Sequence, residues 1–254
     1  ALNEERYPNF VLSNLRAVDN TELQEHLVKF EKADVFKKYK FGVLLVKEGQ
    51  TRDDEFFANQ SGSERYNEFL EVLGEKIELK GWKKYAGGLD TEGFSTGTHS
   101  VYRPYFSLGS KYEIMFHIST MLPFYEDDLQ HVERKRHLGN DVVNIIFNDS
   151  SKPFDPASVI TNFIHTYIVV SVDEESTKEK GEMHYRVEIA NQTQVPKYNP
   201  PLRNPPIFSR EELKEWLPSK LINAERAAFL APAIRFKLTG TRKQLLADIF
   251  QEFG

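Results

Sequence analysis

Cysteine is absent from all 254 residues of this chain. Its absence excludes disulfides, thiolate zinc sites and cysteine nucleophiles, and it suits a reducing compartment. No apolar run approaches the ~20 residues that a spanning helix requires, so direct membrane insertion is not expected. The opening residues, Ala1-Leu2-Asn3-Glu4-Glu5-Arg6, lack the apolar core of a signal peptide. The chain carries no G-x-x-x-x-G-K-S/T phosphate loop, no G-x-S-x-G elbow and no H-E-x-x-H pair. It is therefore not itself a P-loop nucleotidase. The 7 histidines are scattered without metal-ligand spacing, and no metal is expected. Cations are not in excess: the net charge is −5, which argues against a broad nucleic-acid-binding face.

What is present is an ordinary globular composition, 40% hydrophobic and 28% charged. The length suits one large domain or two small ones with a substantial core. The chain opens on Ala1 rather than Met and reads as a piece of a longer protein.

Periodicity supplies the elements. Apolar Leu23, Leu27, Phe30 and Val35 predict an amphipathic helix over 21–38. Phe41 to Val46 reads as a strand. Acids after Thr51 predict a short helix start, and another helix begins at Ser63 and stops at Gly74. Residues 87–98 form a long loop, and 101–106 with 112–118 form a hairpin around Gly109. Tyr125 to Leu138 predicts a helix with Glu126, Asp127 and Asp128 in its first turn and cations near its end, stopped by Gly139. A buried strand follows over 142–147, then a short helix from Pro156 and a strand over 165–172. Asp173 to Glu182 reads as a hairpin loop and 183–190 as the returning strand. Residues 195–207 hold five prolines and form an extended connector. Helices follow from Ser209 to about Leu230, interrupted at Pro218, and from Thr239 to Phe253. The expected fold class is α/β, a mixed sheet flanked by helices, with additional helices at the C-terminus.

The segment with the strongest chemistry is Arg134-Lys135-Arg136-His137-Leu138-Gly139-Asn140-Asp141. It places cations, a histidine and an amide at the entrance to a buried strand, where an anionic ligand or partner could be met. The plain alternative is that the cations complement a helix C-terminus. In helical geometry Arg136 and Asn140 share a face, as do His137 and Asn140. Asn140 is also an ordinary turn residue after a helix. A carboxamide both donates and accepts hydrogen bonds but is no base at neutral pH, so its chemistry is to orient a water or stabilise charge.

Arg134 to Val143 resembles the catalytic segment of the Rap GTPase-activating proteins. Lys40-Phe41-Gly42-Val43-Leu44, Gly49-Gln50-Thr51, Gly87-Gly88-Leu89-Asp90, Thr96 to Tyr102, Ile114 to Thr120 and Lys220-Leu221-Ile222-Asn223-Ala224-Glu225 also match that family, in the right order. The hairpin tip from Arg103 to Lys111 departs from it in length. The resemblance covers roughly residues 40–254, which would form the catalytic domain, reminiscent of a small GTPase fold, with its C-terminal helices from about 209. Residues 1–39 would be a flanking segment, a remnant of a dimerisation region; a homodimer is left open.

The resemblance implies an activator of GTP hydrolysis by the small GTPase Rap, with Asn140 inserted as an asparagine thumb into the partner's active site. GTP and Mg would be bound by the partner, with no cofactor in this chain. His137 and Arg136 would hold the helix end and its loop. Lys135, Phe163, Lys40 and Arg242 would meet the partner or support activity. Phe163, beside apolar Ile160 and Ile164, reads equally as a core residue. Rheb or Ral is the alternative GTPase, and a silent GTPase-binding scaffold the alternative class. A cytoplasmic protein is implied, recruited to membranes through its partner or through other domains.

Overall fold

The computed structural model describes residues 21–32, 37–107, 109–128, 130–159, 161, 163–232, 234, 246–247 and 249–251. The chain divides into two units, residues 37–235 and residues 1–36 with 236–254. In the second unit, α1 spans Thr21–Lys32, shorter than expected. Residues 246–247 and 249–251 are helical, within the helix expected from Thr239; the rest of that helix and Arg242 lie outside the described residues.

The larger unit is built on an eight-stranded mixed sheet. Its elements run β1 (Lys38–Lys47), α2 (Asp53–Phe57), α3 (Glu64–Leu73), β2 (Glu75–Glu78), β3 (His99–Ser107), β4 (Ser110–Ile118), α4 (Val132–Leu138), β5 (Val143–Asp149), β6 (Thr166–Val172), α5 (Glu174–Lys180), β7 (His184–Asn191), β8 (Ile207–Ser209) and α6 (Arg210–Ala228). The sheet order is β2-β3-β4-β1-β5-β6-β7-β8. The central neighbours β4, β1, β5 and β6 are parallel, and the outer pairs are antiparallel. Parallel strands are covered on both faces, which is why β1, β5 and β6 read as continuous apolar runs. Along β1, Tyr39, Phe41, Val43 and Leu45 face a core with Phe69 and Leu73 of α3 and with Leu217 and Leu221 of α6. Leu44 and Val46 face the opposite core with Phe56 and Phe57 of α2 and with Leu138 of α4. The mixed α/β sheet flanked by helices is thus the fold, as the sequence predicts.

Several local expectations are corrected. The helix expected over 125–138 begins only at Val132, because His131 takes a left-handed conformation at φ 51°. Asp128 is not in its first turn. It lies ahead of the helix, and its carboxylate accepts from the Val132 amide at 2.7 Å. The charged stretch after Asp173 forms α5 rather than a bare hairpin loop. Asp173 accepts from Ser176 N at its start, acids follow, and Gly181 (φ 72°) ends it. β2 was not foreseen; its four residues carry too little pattern to separate from the loop that follows.

Pro218 does not interrupt α6, which is helical throughout Arg210–Ala228. Proline lacks the N–H that would reach the Lys214 carbonyl, four residues back. Arg103 of β3 supplies a donor instead, its Nη2 lying 2.6 Å from that carbonyl. Its Nη1 donates to the Val72 and Leu73 carbonyls at 2.9 and 3.4 Å, at the end of α3. One guanidinium thus joins β3, α3 and α6. Arg103→Met is expected to cost about 1–3 kcal/mol, the penalty for leaving buried carbonyls unpaired. In a Pro218→Ala background, where the restored amide can serve Lys214, the cost should shrink. A urea-denaturation double-mutant cycle measures this, and equal losses in the two backgrounds would refute the role.

Candidate functional site

The site is built where α4 turns into β5. Its foundation is Arg134, in the middle of the cationic segment and only 2% exposed. Among the described residues its guanidinium meets no carboxylate. Nη1 donates to the carbonyls of Phe57 and Asn59 at 2.7 and 2.8 Å. Nη2 donates to Leu122 O at 3.0 Å, and Nε is shared between Leu122 O and Pro123 O at 3.2 and 3.0 Å. Burial lowers its pKa to about 10, which still leaves it charged at neutral pH. Hydrogen bonds from a charged donor are worth about 1.5–3 kcal/mol each, so this set offsets a desolvation cost of several kcal/mol. The effect is to pin α4 to the end of α2 and to the strand-exit segment after β4.

The last turn of α4 has its carbonyls occupied one by one. Gly139 N donates to Lys135 O at 2.7 Å. The Asn140 side chain donates from Nδ2 to Arg136 O at 2.8 Å. Asn140 N reaches His137 O at 3.3 Å, and Asp141 N reaches Leu138 O at 3.2 Å. Asn144 Nδ2 also donates to Leu138 O, at 3.2 Å. Asn144 fits because its neighbour on β1 is Gly42: a Cβ there would stand 2.2 Å from Asn144 Oδ1 and 3.1 Å from Leu138 Cγ. Satisfied carbonyls at a helix end fix the direction in which the chain leaves it. Here it leaves into the turn of Gly139 and Asn140, with Asn140 exposed.

Behind that turn lies a sealed polar cluster. Asp141 is buried, and its Oδ2 lies 2.7 Å from His117 Nδ1. His117 Nε2 donates to the Gly87 carbonyl at 3.1 Å. Lys40 Nζ stands 3.2 Å from Asp141 Oδ1, an ion-pair contact lying outside hydrogen-bond geometry. The His137 ring packs edge-on against His117 with centroids 5.5 Å apart. Burial, then the charges of His117 and Arg136, lower the His137 pKa. Glu225 of α6 faces this cluster, and its pKa is raised to about 8 by burial first and by Asp141 second. The Tyr85 hydroxyl is pushed up to about 12 by burial, then by Glu225 and Asp141.

The structure brings Asn140, His137, Arg136 and Lys40 together, but their contacts differ from the expectation. Arg136 holds the turn with its backbone carbonyl; its side chain pairs with Glu133 at 2.8 Å. Lys135 pairs with Asp53 of its own chain at 2.9 Å, over the Phe57 ring. Phe163 is 45% exposed, so the core reading of it is set aside. It lies next to the turn in space: Thr161 Oγ1 accepts from Phe163 N and donates to Gly139 O, both at 3.2 Å. Sequence reasoning passed over Arg134, Asp141, His117, Asn144 and Glu225 as site-forming residues. Each sits inside or beside a motif already singled out, but no spacing rule says that these motifs converge.

Fold and site together define an α/β domain that presents one exposed amide on a buttressed turn. Comparison with known proteins gives it a place. The Rap/ran-GAP family pattern matches residues 56–243, and the chain belongs to that family. It is 40% identical over 241 residues to GTPase-activating Rap/Ran-GAP domain-like protein 3 of Mus musculus, covering 93% of this chain and 22% of that protein. It is 36% identical over 248 residues to Signal-induced proliferation-associated 1-like protein 1 of Mus musculus, covering 96% of this chain and 14% of that protein. The chain thus spans less than a quarter of the length of either relative. Among solved structures it is similar to the TSC2 GAP domain, with a TM-score of 0.65 and 32% identity over 76% of this chain and 97% of that one. Among the described residues no helix is long and apolar enough to cross a membrane.

Two expectations follow from the site's electrostatics. Arg134→Lys should destabilise the domain by about 3–5 kcal/mol, because a single ammonium cannot serve four carbonyls; chemical denaturation measures it. Glu225 has a folded pKa raised from 4.5 to about 8, so the folded state binds the extra proton. Its contribution therefore falls as pH rises through that interval. Glu225→Gln should raise Tm at neutral pH and flatten the loss of stability between pH about 5 and about 8. A pH series of melting curves on both proteins checks it, and parallel curves would contradict it.

Proposed function

We propose that this domain accelerates GTP hydrolysis by a small GTPase of the Rap type, and that the Asn140 carboxamide orients the attacking water in the GTPase's active site. The observation that carries the reading is the state of this one side chain. Asn140 is exposed, and its Nδ2 is committed to Arg136 O at 2.8 Å. Oδ1 is therefore the atom left to accept a hydrogen bond from outside the chain; among the described residues no donor reaches it. An amide fixed at one end and offered at the other suits the need. Phosphoryl transfer depends chiefly on positioning and charge stabilisation, and a water aligned with the γ-phosphate needs an acceptor more than a strong base. GTP and Mg belong to the partner in this reading, and this chain supplies no cofactor. In this reading the same partner would meet Phe163, whose ring is exposed and whose backbone is tied to Gly139 through Thr161.

The family and the likeness to a GAP domain support the general activity, and the asparagine segment supports the mechanism. The likeness to the TSC2 GAP domain keeps a second Ras-like GTPase in contention. Single-turnover hydrolysis with excess domain, run on Rap, Rheb and Ral, separates the substrates. With the preferred GTPase, Asn140→Ala should lower the stimulated rate by about 100-fold or more, while the loss of its exposed hydrogen bond to Arg136 O lowers the melting temperature by only about a few degrees. Undiminished stimulation by the variant would reject the amide mechanism. Binding without acceleration by the wild type would favour a silent docking module.

A further inference from the structure

The separated motifs of the sequence meet at one place that the proposed reaction does not use directly. Lys40 comes from the start of β1, Gly87 from the long loop, His117 from the end of β4, Asp141 from the turn before β5 and Glu225 from α6. Asp141 directly follows Asn140 in the chain. Its carboxylate is buried, so its partners fix the position of its own backbone and of the residue before it.

We propose that His117, Asp141 and Lys40 form a positioning clamp that sets where Asn140 is held, with Asp141 as its centre. This rests on the reading of Asn140 as the group offered to the GTPase. None of the three need touch the reacting atoms; they act through the turn.

The hydrogen bonds assign the order of support. A carbonyl can only accept, so the 3.1 Å contact to Gly87 O makes His117 Nε2 a donor. His117 Nδ1 and Asp141 Oδ2 then share one proton across 2.7 Å. The ring is held at both nitrogens and cannot flip without losing a buried bond. Gly87 suits its place because it adopts φ +66°, and a Cβ there would stand 3.0 Å from Met115 Cβ and 3.2 Å from His117 Nε2. A side chain larger than hydrogen would press on the ring that orients Asp141. The other carboxylate oxygen faces Lys40 Nζ, and Lys40 is 37% exposed at its side chain. Lys40 thus neutralises the buried carboxylate from the solvent side. The raised pKa of Glu225 keeps that carboxyl largely protonated at neutral pH, which leaves the Lys40 charge to Asp141.

Lys40 is accordingly a residue that acts within its own chain. Its replacement should change how fast the bound GTPase hydrolyses GTP, rather than how tightly the GTPase binds. Displacing a positioning group by about 1 Å is enough to lose on the order of 100-fold in rate.

The test uses two readouts. In single-turnover hydrolysis over a range of domain concentrations, Asp141→Ala and Lys40→Met should lower the saturating rate by about 10- to 100-fold. The half-saturating concentration should stay within about 2-fold, since the docking surface is untouched. Asp141→Asn, which keeps an acceptor for His117, should lose less than Asp141→Ala. A loss confined to half-saturation, or no loss in folded variants, overturns the clamp. The second readout needs no GTPase. The side-chain amide signal of Asn140, assigned by its disappearance in Asn140→Ala, is followed by nitrogen–proton NMR. It should shift or broaden in Lys40→Met and Asp141→Ala, while signals from the far side of the sheet remain in place. An unmoved Asn140 signal overturns the clamp whatever the kinetics show. If the signal moves as expected but the wild type stimulates none of the three GTPases, the clamp stands and the reading of Asn140's task is what fails.

Discussion

A guanidinium sunk in the protein and held by backbone carbonyls is the constraint from which the site takes its geometry. Arg134 gathers the carbonyls of Phe57, Asn59, Leu122 and Pro123, and so fixes α4 against the end of α2 and the segment that follows β4. A helix of seven residues is too short to be stable by itself. It holds its place because one buried cation gives it tertiary contacts that propensity could not. The turn carrying Asn140 inherits its position from that arrangement.

The same device recurs elsewhere in the larger unit. Arg103 serves the carbonyl left by Pro218 and the end of α3. Lys220 donates to the carbonyls of Tyr198 and Pro200 at 3.0 and 2.8 Å, tying the proline-rich connector to α6. In each case a charged side chain is spent on backbone carbonyls that lack a regular partner. Backbone acceptors buried without donors are costly, and a long cationic side chain reaches several at once. This explains how long irregular segments coexist with a rigid sheet here.

The site lies at the entrance to β5, where Lys40, His117 and Asp141 crowd under an exposed turn. Buried charge of this kind is poor value for stability. Its retention fits a role in geometry: three groups from different strands and loops must all be placed for Asp141, and hence Asn140, to be where it is. Cations that looked available to a partner are largely committed within the chain. Lys135 is held by Asp53, Arg136 by Glu133 and Lys40 by Asp141. The exposed amide and the exposed Phe163 ring are what the turn offers outward.

The residues alone set the character of the central strands, and the sequence shows it, because a parallel strand covered on both faces must read as a continuous apolar run. It also sets the helix starts at Ser63 and Ser209 and the prominence of the segment around Asn140, since these are local chemistry. It misjudged the start of α4 and the fate of Pro218, because the left-handed His131 and the donor from Arg103 are set by distant contacts. That Arg134 faces inward while Asn140 faces outward, six residues apart on one short segment, follows from packing between distant segments. Periodicity cannot tell a buried cation from a solvated one when its partners are carbonyls from other parts of the chain. The convergence of Lys40, Gly87, His117, Asp141 and Glu225 was likewise invisible along the chain, because closeness in a sheet depends on strand order, and strand order is a property of the fold.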